Sequence, residues 1–559
     1  MQKFCKTCNK SFEVRKEDLI FYEQIKVPPP NHCPDCRAMR RLAWRNERTF
    51  YKRPCDLCQK SMVSLYSKNS PFPVYCNECW WSDKWDPKDF AQDYIPGKNF
   101  FEQYRELQNK VPRLALMILN STRSDYTNGA SDNKDCYLIF AAEYNEDCMY
   151  SRLIQRCKNC LDSSFIYDSE LCYECIDTNK CYKCLYSQQC QTSSDLLFCY
   201  DMRDSQNCIL CTSGRHMSYA ILNQKCTKEE FEAKKEEILS SYQNIEKAKK
   251  EFEELNKKTI FKYASTVKCH NVTGDYIYNC YDGVMVFDTS NTKNCSYVAD
   301  TVDSLDSQDC NNYYYKNQLC YNMMGILQSS RCKGDAYVFY CNEVEYSENC
   351  HNLNSGIGCN GIRKGQYMVL NKEYSKEEYV RIKKEIEEGM RKDGTYGEFL
   401  PPDLSPFGFN ESLGFDYYKM TEAEAKARGF SWQTETSGTY GKETLKENEM
   451  PETIDEVTEE ILNQVMVCED CKKNFRMTKG EFDFYKRMNI PLPHKDFECR
   501  HQDRMKKRNP RALWHRPCMC ELKNHPHGAQ KCGEEFETSY SPERTETIYC
   551  ETCYQQEVS

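Results

Sequence analysis

The chain has 559 residues, which is too long for one domain and predicts several. Its 85 acidic residues outnumber its 76 Lys and Arg residues, and the net charge of −9 argues against a surface coated uniformly by nucleic acid. No apolar run approaches the length of a membrane span, and a Cys pair begins at residue 5, which leaves no room for a signal peptide. We therefore expect a cytoplasmic protein without membrane contact, in which 38 cysteines indicate metal more often than disulfides.

Two zinc-ribbon patterns follow each other at the N-terminus, ribbon 1 at 1–54 and ribbon 2 at 55–95. Each contains two Cys-x-x-Cys pairs. A pair places two thiolates on one side of a tight turn, so two pairs complete the tetrahedron that Zn2+ prefers. Segments this small cannot fold on an apolar core alone, and bound zinc would stabilise them. The expected ligands are Cys5, Cys8, Cys33, Cys36, Cys55, Cys58, Cys76 and Cys79.

A cysteine repeat fills the middle of the chain, after a predicted helical connector at 96–126. Cysteines recur there at steps of nine residues, as at Cys172 and Cys181. A fixed period combined with short β-prone runs is typical of a β-solenoid, in which each rung buries small residues against the next. The pattern predicts two Cys-repeat β-solenoids, A at 127–225 and B at 263–374, with nine residues as a fraction of one rung.

The densest part of repeat A is "CYECIDTNKCYKC" at 172–184, with two Cys-x-x-Cys pairs. These four cysteines have the spacing of a zinc or iron–sulfur site, but repeat B follows the same plan without any such pair. We therefore favour buried core thiols over an additional metal site, and both over a redox or disulfide role. The residues concerned are Cys172, Cys175, Cys181 and Cys184.

Each repeat ends in a similar phrase followed by a helix start. Thr227 with Glu230, and Ser375 with Glu378, form capping boxes that predict a helix covering the open edge of each repeat. One continuous apolar face is expected for the first helix, through Phe231, Ile238, Tyr242, Ile245 and Phe252. The predicted segments are a helix at 226–262, a helix with a Pro/Gly-rich loop at 375–435, and an acidic linker with a short helix at 436–465.

Ribbon 3, predicted at 466–517, repeats ribbon 1 with one change of ligand. Cys33 of ribbon 1 aligns with Asp496. Either Asp496 supplies an oxygen ligand, or His494 or His501 supplies a nitrogen, or the site is degenerate. The expected ligands are Cys468, Cys471, Asp496 and Cys499.

Ribbon 4, predicted at 518–559, repeats ribbon 2 with an insertion between its first two ligands. The insertion adds Cys520, His525 and His527, so the first ligand is ambiguous. The expected ligands are Cys518, Cys520, Cys532, Cys550 and Cys553. We expect three to four structural Zn2+ ions in the whole chain.

The segment "FCKTCNKSFEVRKEDLIFYEQIKVPPPNHCPDCR" resembles the "probable zinc-ribbon" domain of bacterial proteins. The wider layout is similar to a family of zinc-ribbon, cysteine-repeat proteins from small-genome bacteria. The phrases that carry this similarity are "YCNECWWSDKWDP", "LCYECID", "GEFLPPDLSPFGFNES" and "CGEEFETSYSPERTETIYCETCYQQEVS". The resemblance implies zinc binding and this architecture, but no activity.

Two basic segments follow zinc knuckles, "RAMRRLAWRNERTFYKR" after Cys36 and "RHQDRMKKRNPRALWHR" after Cys499. Arginine and lysine interleaved with tryptophan suit phosphate contact and stacking on exposed bases. The alternative is that these arginines pack on a neighbouring ribbon or pair with acidic helices. The candidate nucleic-acid-binding residues are Arg37, Arg40, Arg41, Trp44, Arg45, Arg504, Lys506, Lys507, Arg508 and Trp514.

Phosphate-loop, metalloprotease and serine-hydrolase motifs are missing from the sequence. We expect a non-enzymatic zinc protein that binds RNA or DNA through its ribbons. The alternative is a protein-interaction scaffold built on the Cys-rich solenoids, with Trp80, Trp81 and Trp85 exposed to a protein partner. A metal or redox enzyme ranks third.

Overall fold

Strands outnumber helices, and they form several separate sheets. The computed structural model describes residues 1–435, 438–528 and 530–558. Residues 436 and 437 of the predicted linker, and Ala529 and Ser559 of predicted ribbon 4, lie outside the described residues. Together with Cys groups at both ends of the chain, these sheets confirm the prediction of a mainly β protein with metal-ligand clusters at each end.

Each of the four predicted ribbons contributes to a short two-stranded sheet. Their antiparallel pairs are Gln2–Phe4 with Ser11–Glu13, Tyr51–Pro54 with Ser61–Ser64, Met466–Val467 with Asn474–Phe475, and Trp514–Pro517 with Glu535–Thr538. Two further pairs are parallel and join distant parts of the chain, Val74–Tyr75 with Arg113–Leu114 and Ile260–Lys262 with Thr547–Tyr549.

The helices of the described residues are mostly short. They are α1 (Lys16–Gln24), α2 (Pro34–Leu42), α3 (Asn77–Trp80), α4 (Phe100–Gln108), α5 (Lys228–Leu239), α6 (Tyr242–Asn256), α7 (Lys376–Lys392), α8 (Leu413–Tyr417), α9 (Glu422–Ala427), α10 (Lys479–Met488), α11 (Phe497–Lys506) and α12 (Glu551–Val558).

Two sets of parallel strands occupy the middle of the chain. The first parallel block, residues 118–225, contains Ile118–Leu119, Asn128–Ser131, Phe140–Glu143, Arg152–Gln155, Ser164–Tyr167, Ile176–Asn179, Ser194–Leu197, Gln206–Ile209 and Ser218–Ile221, and ends in the antiparallel strand Gln224–Lys225. The second parallel block, residues 266–373, contains Thr266–Val267, His270–Lys293, Val298–Leu305, Gln308–Gln318, Tyr321–Leu327, Ala336–Phe339, Asn342–Glu345, Glu348–His351, Leu353–Ile357 and Gly365–Val369, and ends in the antiparallel strand Lys372–Glu373.

A twelve-residue repeat sets the register of the first block. Arg152 pairs with Ser164, and Ser164 pairs with Ile176. Every third residue of this block has a left-handed backbone, as at Arg156 and Asn159, and between residues 127 and 214 the residue that follows it is buried. Asn and Asp tolerate this conformation better than other side chains, and they often occupy the left-handed positions. The nine-residue cysteine step is therefore a fraction of the repeat, as expected.

The second block begins with an offset of eleven residues, between Thr266 and Ile277, and from Val286 onwards it keeps the twelve-residue register with one inserted residue. Tyr315 and Lys316 both have left-handed backbones, and the pairing between Val298–Leu305 and Gln308–Gln318 shifts between Val302 and Ser304. The insertion moves the buried positions of the later repeats by one residue. A sequence analysis with one constant repeat length therefore cannot assign them correctly.

The capping boxes of both predicted helices are present. Thr227 Oγ1 accepts from the backbone N–H of Glu230 at 3.2 Å, and Ser375 Oγ accepts from that of Glu378 at 3.2 Å. The prediction of one continuous first helix is wrong, because Ser241 caps a new helix and divides the segment into α5 and α6. In the described part of the chain, no helix is both long enough and apolar enough to cross a membrane.

Apolar contacts connect each pair of ribbons to one block. Ribbons 1 and 2 share a buried cluster with the second block, which includes Tyr22 and Tyr321. Ribbon 3 shares another with the first block and with α5 and α6, which includes Tyr485 and Tyr173. The N-terminal ribbons therefore dock on the later block, and the third ribbon docks on the earlier one.

Candidate metal centres and the docking of the basic segments

Five groups of Cys, His and Asp side chains can each hold a metal ion within the described residues. The donor atoms of each group lie within 4.8 Å of one another, and all five groups come from the predicted ribbons. The groups are Cys5/Cys8/Cys33/Cys36, Cys55/Cys58/Cys76/Cys79, Cys468/Cys471/Asp496/Cys499, Cys518/Cys532/Cys550/Cys553 and Cys520/His525/His527/Cys553.

The first two ligands of ribbons 1, 2 and 3 lie on the same tight turn. In ribbon 1, the carbonyl of Cys5 accepts from the N–H of Asn9 at 2.9 Å, and the N–H of Cys5 donates to Lys10 at 2.9 Å. Asn9 has a left-handed backbone. Ribbons 2 and 3 repeat this geometry at Gln59 and Lys472, so the Cys-x-x-Cys spacing produces one local fold in three places.

The third ligand comes directly before a helix in every ribbon. Cys33 caps α2, Cys76 caps α3 and Asp496 caps α11, and all three have nearly identical extended backbones. Cys550 precedes α12. The fourth ligand lies in the first turn of the same helix, where unpaired N–H groups and the helix dipole favour negative charge. A helix start is thus a suitable place for thiolates.

Sulfur–sulfur distances fit a tetrahedral zinc ion. Two thiolates on one Zn2+ lie about 3.8 Å apart, given Zn–S bonds of about 2.3 Å. The distance from the second to the third ligand is 3.7 Å for Cys8 and Cys33, and 3.9 Å for Cys58 and Cys76. A hydrogen bond from the Cys36 thiol is the main reason that the pKa of Cys33 is lowered to about 5. The same contact raises the pKa of Cys36, so within this pair the thiolate, the form that binds metal, is favoured at Cys33.

Asp496 completes the group of ribbon 3. One of its oxygens accepts from the N–H of Cys499 at 2.8 Å, and the other lies 3.0 Å from the sulfur of Cys471. His494 instead stacks on the ring of Tyr242, with 3.6 Å between ring centroids, and His501 is buried elsewhere. Of the three candidates that the sequence left open, the structure thus places Asp496 with the cysteines.

Cys518 takes the position of the first ligand in ribbon 4. Its sulfur accepts from the N–H of Cys550 at 3.2 Å, as that of Cys55 accepts from the N–H of Cys76 at 3.3 Å in ribbon 2. Cys520 belongs to a separate group with two histidines. Sequence reasoning placed these histidines in the insertion but did not assign them as ligands.

The cysteines of the parallel blocks point into the interior. The four that raised the metal question in repeat A are each at most 2% exposed. Each of their thiols donates to the carbonyl nine residues later, as from Cys175 to Cys184 at 3.1 Å and from Cys181 to Cys190 at 3.5 Å. These contacts explain the nine-residue step and support the core-thiol interpretation.

The basic segment of ribbon 1 lies against the second block. Arg37 Nε donates to Asp309 Oδ1 at 2.8 Å, and Arg41 Nη1 donates to the same oxygen at 3.1 Å. Arg41 also donates to the amide oxygens of Asn311 and Asn322 at 2.8 and 3.0 Å. Arg37 and Arg41 are 3% and 0% exposed. The structure gives these two arginines the docking role that was the alternative to phosphate contact.

The end of the same segment reaches the first block. Arg45 Nε donates to Glu47 at 2.6 Å, and Arg152 Nε of the first block donates to the other oxygen of Glu47 at 2.5 Å. Burial opposes ionisation of Glu47, but the charges of Arg152 and Arg45 outweigh it and hold its pKa well below its usual range. Trp44 is fully buried, so it presents no ring for a base to stack on.

Ribbon 3 repeats the docking on the first block. Arg500 forms an ion pair with Asp162 at 2.9 Å, and Arg504 donates to the same carboxylate at 3.1 Å. Arg504 also donates to Glu174, one repeat later, at 2.9 Å. Arg41 in ribbon 1 likewise spans two successive repeats. Arg504 is 0% exposed and is therefore bound within the protein.

Arg508 connects the two blocks. Its guanidinium lies between Asp177 of the first block, at 2.9 Å, and Asp288 of the second, at 2.5 Å. The rings of Phe165 and Tyr276 cover it, with centroids 3.5 and 4.0 Å away. An arginine in this position joins the two blocks both by ion pairs with the carboxylates and by stacking on the aromatic rings.

The other candidate nucleic-acid-binding residues differ in exposure. Arg40 is half-buried and donates to the carbonyl of Phe399 at 2.9 Å, and Trp514 is half-buried. Lys506 and Lys507 are exposed at the end of α11. Only this last pair combines positive charge with an open position among the ten candidates.

The tryptophans expected to contact a protein partner are mostly inside. Trp80 and Trp85 are 1% and 7% exposed, and the Nε1–H groups of both donate to backbone carbonyls. Trp81 is 46% exposed. The prediction of three exposed tryptophans is therefore wrong for Trp80 and Trp85, which pack between ribbon 2 and the second block.

Comparisons of the chain with protein-family models and with curated proteins find no match.

Proposed function

We propose that this protein is a non-enzymatic zinc protein that acts as a rigid scaffold. Zn2+ would fold all four ribbons, and the basic segments of ribbons 1 and 3 would hold the two parallel blocks in one body. The observation that carries the proposal is the burial of Arg41, Arg504 and Arg508 against carboxylates of the blocks. Charges that a phosphate surface would need are already neutralised inside the protein.

The two blocks are best interpreted as tandem β-solenoids. The parallel register of twelve residues, the left-handed residue at every third position and the inward thiols support this interpretation. Asn133 and Asn145 make equivalent bonds one repeat apart, to Ala142 and Ile154. Deleting residues 133–144 should keep the register and the circular dichroism of the fold. Deleting 133–141, one nine-residue step, should lose both.

The exposed faces of the blocks are the surface offered to a protein partner. Tyr144, Tyr182 and Tyr340 are 58%, 42% and 51% exposed, and tyrosine is enriched where proteins bind one another. An apolar and aromatic contact of this kind depends weakly on ionic strength. Capture from native lysate should therefore yield a partner that resists nuclease and salt, and Tyr144→Ala with Tyr182→Ala should weaken its binding.

Zinc removal tests the structural part of the proposal. A strong chelator should release the ions, expose the basic helices to trypsin and separate the blocks, and added Zn2+ should restore the protected pattern. The measurement is limited proteolysis alongside metal analysis. One ion or fewer per chain, or an unchanged digestion pattern after chelation, would overturn the proposal.

Nucleic-acid binding is the second candidate, and the exposure of Lys506 and Lys507 favours it. Fluorescence anisotropy with single-stranded RNA and DNA at low salt tests it, because counterion release makes phosphate binding strongest there. Binding that falls when both lysines are changed to Ala, with a salt slope reduced by about two, would support this candidate. If neither RNA nor DNA binds at low salt, the nucleic-acid candidate is rejected and the scaffold proposal is retained.

A further inference from the structure

The insertion of ribbon 4 carries a second set of metal ligands beside the first. Cys520, His525 and His527 all lie between Cys518 and Cys532, where the other ribbons have only two intervening residues. The donor atoms of these three residues and of Cys553 lie within 4.8 Å of one another. Cys553 is also the fourth ligand of the all-cysteine group. One sulfur therefore belongs to both sets.

The distances within the second set fit Zn2+. The sulfur of Cys520 lies 3.3 Å from Nδ1 of His525 and 3.3 Å from Nε2 of His527. A thiolate and an imidazole nitrogen on one tetrahedral zinc ion are about 3.6 Å apart, given Zn–S near 2.3 Å and Zn–N near 2.0–2.1 Å. Both rings thus direct one nitrogen towards the sulfur, at a separation about 0.3 Å shorter than a shared ion requires.

The second nitrogen of each ring fixes its tautomer. His527 Nδ1 lies 2.7 Å from the carbonyl oxygen of Gln530, which only accepts, so Nδ1 carries the proton and Nε2 keeps its lone pair. His525 Nε2 lies 2.9 Å from Glu557, which in the same way leaves Nδ1 free to bind a metal. Outer partners of this kind, a carboxylate and a backbone carbonyl, orient metal-binding histidines.

Burial argues against a solvated His525, whereas His527 is half-buried at the edge of the group. The side chain of His525 is 2% exposed, Cys520 is 0% exposed and Cys553 is 1% exposed. Buried thiols and imidazoles in contact need a partner for their lone pairs, and a metal ion supplies one. Glu557 lies on α12, the helix that also carries Cys553, so one element orients ligands of both sets.

We propose that ribbon 4 holds two zinc ions bridged by the thiolate of Cys553. One ion is bound by Cys518, Cys532, Cys550 and Cys553, and the other by Cys520, His525, His527 and Cys553. A thiolate sulfur has lone pairs enough to bind both ions, and sharing it reduces the negative charge that the buried site must accommodate. The inference rests on the proposed zinc binding of the ribbons and adds one ion to it.

Metal analysis of the purified full chain tests the number of ions. The wild type should hold five Zn2+ per chain, and the double variant His525→Ala/His527→Ala should hold four. The matched control is His515→Ala, because His515 lies on the strand Trp514–Pro517, which pairs with the ribbon 4 strand Glu535–Thr538, but is exposed and contacts Glu535 and Glu537 instead of the cysteines. That variant should keep all five ions. A count of four in both the wild type and the double variant would overturn the second site, whereas one ion or fewer in the wild type would refute zinc binding as a whole.

Cadmium-113 NMR of the substituted wild type tests the bridge, and it requires no variant to fold. Two resonances should show mutual scalar coupling through the shared sulfur, and one of them should have the shift of a mixed sulfur–nitrogen site. Cys553→Ser should remove two ions, whereas Cys520→Ser should remove one. Five uncoupled resonances would show separate ions and overturn the bridge.

Discussion

Ribbons 1 and 3 are two copies of one unit that dock in the same way but offer different candidate ligands to a metal ion. Arg37 and Arg41 in ribbon 1 correspond to Arg500 and Arg504 in ribbon 3, and each pair shares one buried aspartate of a parallel block. The third ligand, in contrast, is Cys33 in one copy and Asp496 in the other. The docking geometry is the same in both copies, whereas the ligand type is not.

This comparison shows that the buried arginine–aspartate contact tolerates less change than the type of the third ligand. A buried arginine pair needs its carboxylate at hydrogen-bond distance, because an unpaired charge inside the protein costs several kcal/mol. A metal ligand at a helix start needs only a short side chain with a negative donor atom. Cys33 and Asp496 both satisfy this from the same backbone conformation.

Loss of the metal should have the largest effect in either copy. Cys36→Ser and Cys499→Ser should each remove one ion, unfold one ribbon and leave Asp309 or Asp162 without its arginines. Structural zinc sites contribute apparent binding free energies of about 10–16 kcal/mol, more than any single ion pair here. Metal analysis with limited proteolysis measures both changes, and cleavage should be confined to the altered ribbon. A variant that keeps its ion and its protease resistance would show that the ribbon folds without metal.

Removal of one docking arginine should come next. Arg504→Ala leaves two carboxylates, Asp162 and Glu174, with fewer partners, whereas Arg41→Ala leaves one, Asp309. Breaking a buried pair in this way costs about 3–5 kcal/mol, and we expect Arg504→Ala at the upper end. Urea unfolding of the zinc-saturated protein gives both values. Equal losses would mean that Glu174 does not depend on Arg504.

Exchange of the third ligand should have a moderate effect of opposite sign in the two copies. Asp496→Cys makes ribbon 3 an all-thiolate site, and Cys33→Asp gives ribbon 1 the mixed set. Thiolates bind zinc strongly, so ribbon 3 should retain its ion about tenfold longer against a chelator, and ribbon 1 should lose it sooner. Competition with a chromogenic chelator measures the release. The same change in both copies would mean that the surroundings, not the ligand type, determine the affinity.

The smallest effect is expected on the open side of α11. Lys506→Ala should change the free energy of unfolding by less than about 0.5 kcal/mol, because the side chain is 74% exposed. The same urea measurement applies, which makes this variant the control for Arg504→Ala on the same helix. A loss above 1 kcal/mol would indicate a contact that the docked structure does not explain.

The sequence was sufficient for local features and insufficient for long-range ones. The Cys-x-x-Cys spacing and the alignment of the two copies identified the candidate ligand groups, because the two members of each ligand pair lie close together in the sequence. The docking role of the arginines could not be predicted, because no sequence pattern marks Asp162 and Asp309 as their partners and both lie hundreds of positions away. A basic segment has the same composition whether it faces a phosphate or a buried carboxylate. The break between α5 and α6 was missed because the apolar spacing continues across Ser241.

Ribbon 1 docks on the later block and ribbon 3 on the earlier one, and this arrangement determines when each docking contact can form during synthesis. Arg37 and Asp309 are 272 positions apart, so a ribosome adding about 5–20 residues per second incorporates Arg37 roughly 14–54 s before the aspartate. Throughout that interval the first basic helix is translated but has no carboxylate to pair with. Ribbon 3 has no such delay, because Asp162 emerges before Arg504. The nascent chain therefore carries a cationic N-terminus for most of its elongation, and neutralises it only when the second block has been made.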